Sequence, residues 1–143
     1  MSLGTSTAPA MRVTAVVCDD SALMRRLLTD ALEASSVRVV GAAATGVEAL
    51  ELCRRARPDV MTLDMQMPGL SGMDVLRQMP PGGPGVIVVS AYTSEGSTLA
   101  VEALSIGAAE VIRKPALGAS MADFKAELGA AVQAAAAARR ARP

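Results

Sequence analysis

Short apolar runs alternate along this chain with stretches of helical periodicity, and four of the runs end in polar or charged residues. Val13–Cys18 precedes the pair Asp19-Asp20, Val60–Leu63 precedes Asp64, Val86–Val89 precedes Ser90, and Glu110–Arg113 precedes Lys114. Runs of this length without internal polar alternation belong to strands covered on both faces. With helical segments between them they predict a parallel sheet sandwiched by helices. In such sheets the ligand crevice lies at the carboxyl ends of the strands. The pattern therefore predicts that three carboxylates, a hydroxyl and an ammonium gather at one edge of the fold.

The intervening segments support the same architecture. Ser21 reads as a helix N-cap, followed by an apolar stripe of Leu23, Leu27, Leu28, Ala31 and Leu32. Val37–Ala42 predicts a second strand, and Val47–Leu52 a helix entered through Gly46 and closed off by Pro58. After Asp64 comes a Pro- and Gly-bearing loop, residues 67–72, and then a short helix over Met73–Met79. The turn-forming residues 80–85 lead into the fourth strand. A helix over Ser94–Ile106 ends at Gly107 as its C-cap, and a last helix from Met121 carries Phe124, Leu128 and Val132 on one stripe. Five strands alternating with five helices predict an α/β doubly wound parallel sheet of order 2-1-3-4-5. The strands ending in Asp19-Asp20 and Asp64 are then neighbours at the switch point. Residues 1–11 lack periodicity and are expected to be a disordered leader; 12–133 form the domain, and 134–143 are a helix end or the start of a linker.

Composition narrows the chemistry. Of the 143 residues, 51% are hydrophobic but only 1% aromatic, so the core must be aliphatic. The 14 basic and 14 acidic residues balance, which gives no support for binding nucleic acid or a membrane surface. No apolar run is long enough to span a bilayer, and the N-terminus lacks the pattern of a secretory signal; a cytoplasmic location is expected. Cys18 and Cys53 are expected to be free thiols, with Cys18 buried in its strand. The absence of histidine excludes His-based acid/base catalysis and a Ser-His-Asp triad within this chain.

Three carboxylates in one crevice repel one another unless a cation neutralises them, and an all-oxygen donor set suits magnesium. Asp64, alone at the end of the central strand, is the candidate nucleophile. Lys114 supplies a point charge and Ser90 a hydroxyl for phosphoryl oxygens, with backbone N–H groups of residues 65–66 and 91 completing a cradle. Taken singly, each group has a plainer explanation as a turn, a cap or a solvated residue. Four at four strand ends argue for a site. A phospho-aspartyl phosphatase is the weaker alternative: such enzymes carry an Asp-x-Asp pair after the first strand, whereas Asp19 and Asp20 are adjacent. A nucleotide-binding module needs a Gly-rich cradle after that strand, where this chain has two carboxylates.

Asp19-Asp20, Asp64 followed by Met67-Pro68-Gly69, Ser90, Gly107-Ala108 and Lys114-Pro115 together resemble the receiver domain of bacterial two-component response regulators. Cys18–Leu28, Thr62–Pro68, Val89–Thr93 and Thr98–Leu104 resemble the receivers of chemotaxis protein-glutamate methylesterases. The resemblance implies that Asp64 accepts phosphate from a partner histidine kinase. It implies a magnesium site of Asp19, Asp20, Asp64 and the Gln66 backbone carbonyl, with Ser90 and Lys114 on the phosphoryl group. It further implies a switched output face and a C-terminal effector domain, a methylesterase in that subfamily. A stand-alone receiver, or that of a DNA-binding regulator, is the alternative. Lys114–Pro115 is often cis in the family. Two positions depart from its pattern: Gln66 stands where an acidic residue is usual, and Val111 replaces the aromatic switch residue, leaving Tyr92 or backbone shifts to carry the coupling.

Overall fold

The computed structural model describes residues 12–91, 98–116 and 118–142. Its elements alternate strictly: β1 Thr14–Cys18, α1 Ala22–Ala34, β2 Arg38–Ala43, α2 Gly46–Ala56, β3 Val60–Leu63, α3 Gly72–Arg77, β4 Gly85–Ser90, α4 Thr98–Ser105, β5 Glu110–Arg113 and α5 Met121–Arg140. The strands form one sheet in the order β2-β1-β3-β4-β5, every neighbouring pair parallel. This is the doubly wound α/β arrangement that the sequence predicts.

Alternation along each strand divides the core into two layers. Ala15, Val17, Val60, Ile87, Val89 and Ile112 face α1 and α5, where Leu28, Leu32, Phe124, Leu128 and Val132 meet them. Val16, Cys18, Met61, Leu63, Val86 and Val88 face α2, α3 and α4. The central strands β1, β3 and β4 are therefore covered on both faces, which explains why they read as unbroken apolar runs, whereas the edge strands β2 and β5 keep exposed residues. Methionines 61, 65, 67, 73 and 79 belong to the second layer. Their unbranched, flexible side chains fill irregular space where aromatics would serve in other proteins.

Caps set the helix boundaries. The Ser21 hydroxyl accepts from the Met24 N–H, as its place in the sequence predicts. Thr45 does the same for the Glu48 N–H, so α2 starts at Gly46 rather than Val47. That helix runs past Leu52 to Ala56 because only Pro58 disfavours its continuation, and Arg57 ends it in the left-handed region at φ 47°. Ser71 and Asp74 form a reciprocal capping box that moves the start of α3 to Gly72. The short helix stops at Arg77, two residues before the expected Met79, as Pro80 approaches. The second strand is displaced by one residue, to Arg38–Ala43, and the fourth gains Gly85 and Ser90. The helix α4 ends at Ser105, one residue before the expected Ile106, with Gly107 at φ 120° just beyond it; the first residues expected in that helix, 94–97, and Tyr92 lie outside the described residues, as does the expected leader 1–11. No peptide bond among the described residues is cis, so Lys114–Pro115 departs from the geometry frequent in the resembling family and keeps the trans form that X–Pro bonds ordinarily favour.

The amino-terminal edge of the sheet is tied by Asp59, at the entrance to β3. Its Oδ2 accepts from the Thr14 N–H at 2.9 Å and from Arg140 at 3.0 Å, while Oδ1 lies 3.4 Å from Arg139. Arg139 also donates to the carbonyls of Gly83 at 2.9 Å and Gly82 at 3.2 Å. Beside them Gly85 lets α5 approach: a Cβ there would stand 3.2 Å from that of Ala135. One carboxylate thus joins the start of β1, the start of β3 and the last turn of α5. Asp59→Ala removes acceptors from partly buried donors and is expected to lower unfolding stability by about 2–3 kcal/mol, read from urea titration.

Candidate functional site

Asp19, Asp20 and Asp64 come together at the carboxyl edge, where β1 and β3 are neighbours. One carboxylate oxygen from each lies within 4.8 Å of the others. Asp19 is 0% and Asp64 4% exposed, whereas Asp20 faces solvent. The register explains the convergence: Cys18 pairs with Leu63, so the residues that follow them leave the sheet side by side. The Asp64 N–H donates to the Cys18 carbonyl at 3.0 Å and the Asp19 N–H to the Ala43 carbonyl at 3.1 Å. Backbone bonding thus carries both carboxylates to the last rung of the sheet.

Lys114 reaches the same point from β5. Its Nζ lies 2.9 Å from Asp19 Oδ2 and 3.5 Å from Asp64 Oδ1. Its N–H donates to the Ser90 carbonyl at 3.0 Å, tying the lysine's start to the end of β4. Ser90 is fully buried there, in register with Arg113. Gln66 is exposed, and its N–H lies 3.4 Å from Asp64 Oδ1. In this geometry that N–H serves the Asp64 carboxylate itself. Ala91, another member of the expected cradle, is exposed. Val111 is half-buried in the layer against α2, α3 and α4.

The charges respond to this crowding. Burial, followed by the Asp19 carboxylate, raises the Asp64 pKa; Lys114 and the Gln66 N–H oppose the rise without cancelling it. For Lys114, burial pulls the pKa down, but the Asp19 and Asp64 carboxylates outweigh it and the ammonium is held charged. Cys18, buried as expected, is pushed up to about 12 by burial and by Asp19 and Asp64, so its thiol offers no thiolate nucleophile. The arrangement has one ammonium among three carboxylates, an excess of negative charge in an oxygen-only donor set. Such a set fits a hard divalent cation, with magnesium the natural occupant.

Two constraints around the site are not evident in the linear sequence. Arg25, on α1, donates from Nη1 to the Asp19 carbonyl at 2.8 Å. It lies off the apolar stripe of α1, and nothing in the local sequence pattern signals that backward reach. Gly72 packs under the loop that follows Asp64, and its N–H donates to the Met65 carbonyl at 3.2 Å. A Cβ there would collide with the Asp64 carbonyl oxygen and stand 2.6 Å from the Met65 Cα.

Without divalent ions, the raised Asp64 pKa means that its ionised form is disfavoured in the fold. That cost develops as pH climbs from the ordinary carboxylate value near about 4 through the raised one, and is complete above it. Asp64→Asn is therefore expected to raise the melting temperature of the metal-free protein at pH 7, with the gain shrinking as pH is lowered through that window. Gly72→Ala is expected to lower stability by about 2–3 kcal/mol in urea unfolding, because the obstructing atoms are backbone.

The model of the response regulator receiver domain family matches residues 15–123. A protein-glutamate methylesterase/protein-glutamine glutaminase of Moorella thermoacetica is 44% identical over 126 residues, covering 87% of this chain and 30% of that protein. The chain spans 30% to 39% of the first curated relatives it matches. Among solved structures, the response regulator domain of Thermotoga maritima CheB is 35% identical with a TM-score of 0.81, covering 92% of this chain and 99% of that one. The signal receiver domain of a NarL response regulator from Mycobacterium tuberculosis is 33% identical with a TM-score of 0.72, covering 92% and 98%. With the acid cluster, the lysine and the sheet order all in place, the chain belongs to the response regulator receiver domain family, and its similarity extends to the receiver domain of chemotaxis methylesterases.

Proposed function

We propose that this receiver domain is a phosphorylation switch that takes its phosphoryl group on Asp64 from a histidine of a partner kinase. The observation that carries the reading is the meeting of Asp19, Asp20 and Asp64 within 4.8 Å, with the Lys114 ammonium 2.9 Å and 3.5 Å from two of them. An Asp64 oxygen attacks phosphorus, the phosphorus–nitrogen bond of the donor breaks, and the histidine nitrogen keeps the electron pair. Burial lifts the carboxylate's pKa, and the same lift makes it a better nucleophile than a solvated aspartate. Lys114 stays protonated and holds positive charge where the phosphoryl oxygens arrive. Ser90, fully buried at the neighbouring strand end, offers a hydroxyl to one of them.

Magnesium would be held by Asp19, Asp20, Asp64 and the Gln66 backbone carbonyl, and when bound it supplies charge neutralisation for the transferring group. The donor set supports this: the carboxylates exceed the local positive charge, and one of them, Asp20, is open to solvent. Phosphorylation then biases the face of α4, β5 and α5. With Val111 at the position of the usual aromatic, the bias runs through the β4–β5 backbone, where Lys114 N–H and the Ser90 carbonyl are already joined.

The partner that reads this face is proposed to be a C-terminal methylesterase effector domain, since relatives of that name are far longer than this chain. In this reading the domain itself has no enzymatic activity beyond its own phosphorylation and dephosphorylation, works in the cytoplasm, and binds no nucleic acid. No helix among the described residues is long and apolar enough to cross a membrane. Residues 1–11 are proposed as a leader, 12–133 as the receiver, and 134–143 as the helix end or linker start, with Arg139 and Arg140 bound to Asp59 favouring the former.

Incubation with a small acyl phosphate and magnesium is expected to add one labile phosphoryl group by intact mass. Chelation of the metal or Asp64→Asn should abolish it. An unchanged adduct in that variant would sink the assignment.

A further inference from the structure

Asp20 is the least restrained member of the acid cluster. The Asp19 carboxylate is held by the Ser21 N–H at 2.9 Å and by Lys114, and that of Asp64 by Lys114 and the Gln66 N–H. Among the described residues no hydrogen bond or ion pair holds the Asp20 carboxylate, and the residue is exposed. Its aim is therefore set by its backbone, and first by the peptide plane joining it to Asp19. The N–H of Asp19 is tied to Ala43, but that bond fixes the preceding plane. The carbonyl of Asp19, which belongs to the plane entering Asp20, accepts from Arg25 Nη1 at 2.8 Å. Arg25 is itself anchored on α1, its own N–H donating to the Ser21 carbonyl at 2.9 Å.

We infer that Arg25 is a positioning residue for the metal site: by holding the Asp19 carbonyl it fixes the plane from which Asp20 presents its carboxylate. The inference rests on the magnesium reading proposed above. A planar guanidinium suits the task, because the Nη1 donor that meets the Asp19 carbonyl is fixed within a rigid, always-charged head group. Groups that orient ligands without touching the metal ordinarily change its affinity by about 10- to 100-fold when removed.

The role is separable from the charge of Arg25 by the sign of the effect. A cation beside three carboxylates disfavours a divalent ion. If charge were all that Arg25 contributed, its removal would tighten magnesium binding. Loss of positioning weakens it. Magnesium affinity is measured by titration calorimetry on the full chain, without phosphodonor, with thermal unfolding as the check on folding. Arg25→Met is expected to bind magnesium about tenfold more weakly. Arg25→Lys, which keeps the charge but not the rigid planar head group that places Nη1, is also expected to bind more weakly; it stands as the second variant should Arg25→Met not fold. Arg26→Met, which breaks only an exposed pair with Asp30, is expected to stay within about twofold of the unaltered protein.

At saturating magnesium the phosphorylation rate of the Arg25 variants should approach that of the parent, as positioning of a ligand requires. Unchanged or tighter magnesium binding in both Arg25 variants overturns the inference while leaving the receiver reading intact. No magnesium uptake by the parent protein overturns both.

Discussion

The Lys114 ammonium between Asp19 and Asp64 is the interaction on which the carboxyl edge of this molecule depends. Two carboxylates are carried into the protein by the sheet's own hydrogen bonding, one fully buried and the other nearly so. Unscreened, they would repel each other strongly enough to shift protons or loosen the strand ends. The lysine comes from β5, two strands away from β3, and meets both. Burial, and after it the Asp19 carboxylate, still raises the Asp64 pKa against the opposing pull of Lys114. One ammonium among three carboxylates leaves the site short of positive charge, which suits the cation and phosphoryl group proposed for it.

The sheet has a second tie at the opposite edge. Asp59 and the arginines at the end of α5 join β1, β3 and the last helix where no reacting group is present. Between the two edges the core is aliphatic and sulfur-rich, with methionines filling the α2–α3–α4 side. The division of labour follows from topology. Parallel strands linked by right-handed crossovers put all carboxyl ends together, so loops at that edge are free to carry chemistry while those at the other edge close the fold.

Strand identities and sheet order were legible because strands covered on both faces must be apolar throughout. Val60–Leu63 and Val86–Val89 read plainly for that reason. Helix starts were less legible, since Thr45 and the Ser71–Asp74 box act through hydroxyl and carboxylate geometry that hydrophobic periodicity does not register. The candidate site residues Asp19, Asp20, Asp64 and Lys114, which the fold brings together, could be named because each sits at a strand end. Arg25, Asp59 and Arg139 could not: their partners are backbone carbonyls or side chains up to 81 residues away, and neither pattern nor motif encodes such a pairing.

The sequence by itself determined the alternation of elements, the aliphatic character of the core and the set of polar groups at the strand ends, because these follow from local pattern and from burial on both faces. Tertiary structure decided how those groups relate. It buried Asp19 and Asp64 while leaving Asp20 open, drew Lys114 across to both, and turned Arg25 back onto the Asp19 carbonyl. Charge, burial and reach are properties of positions in space, and only closure of the sheet brings these positions within a few ångströms of one another.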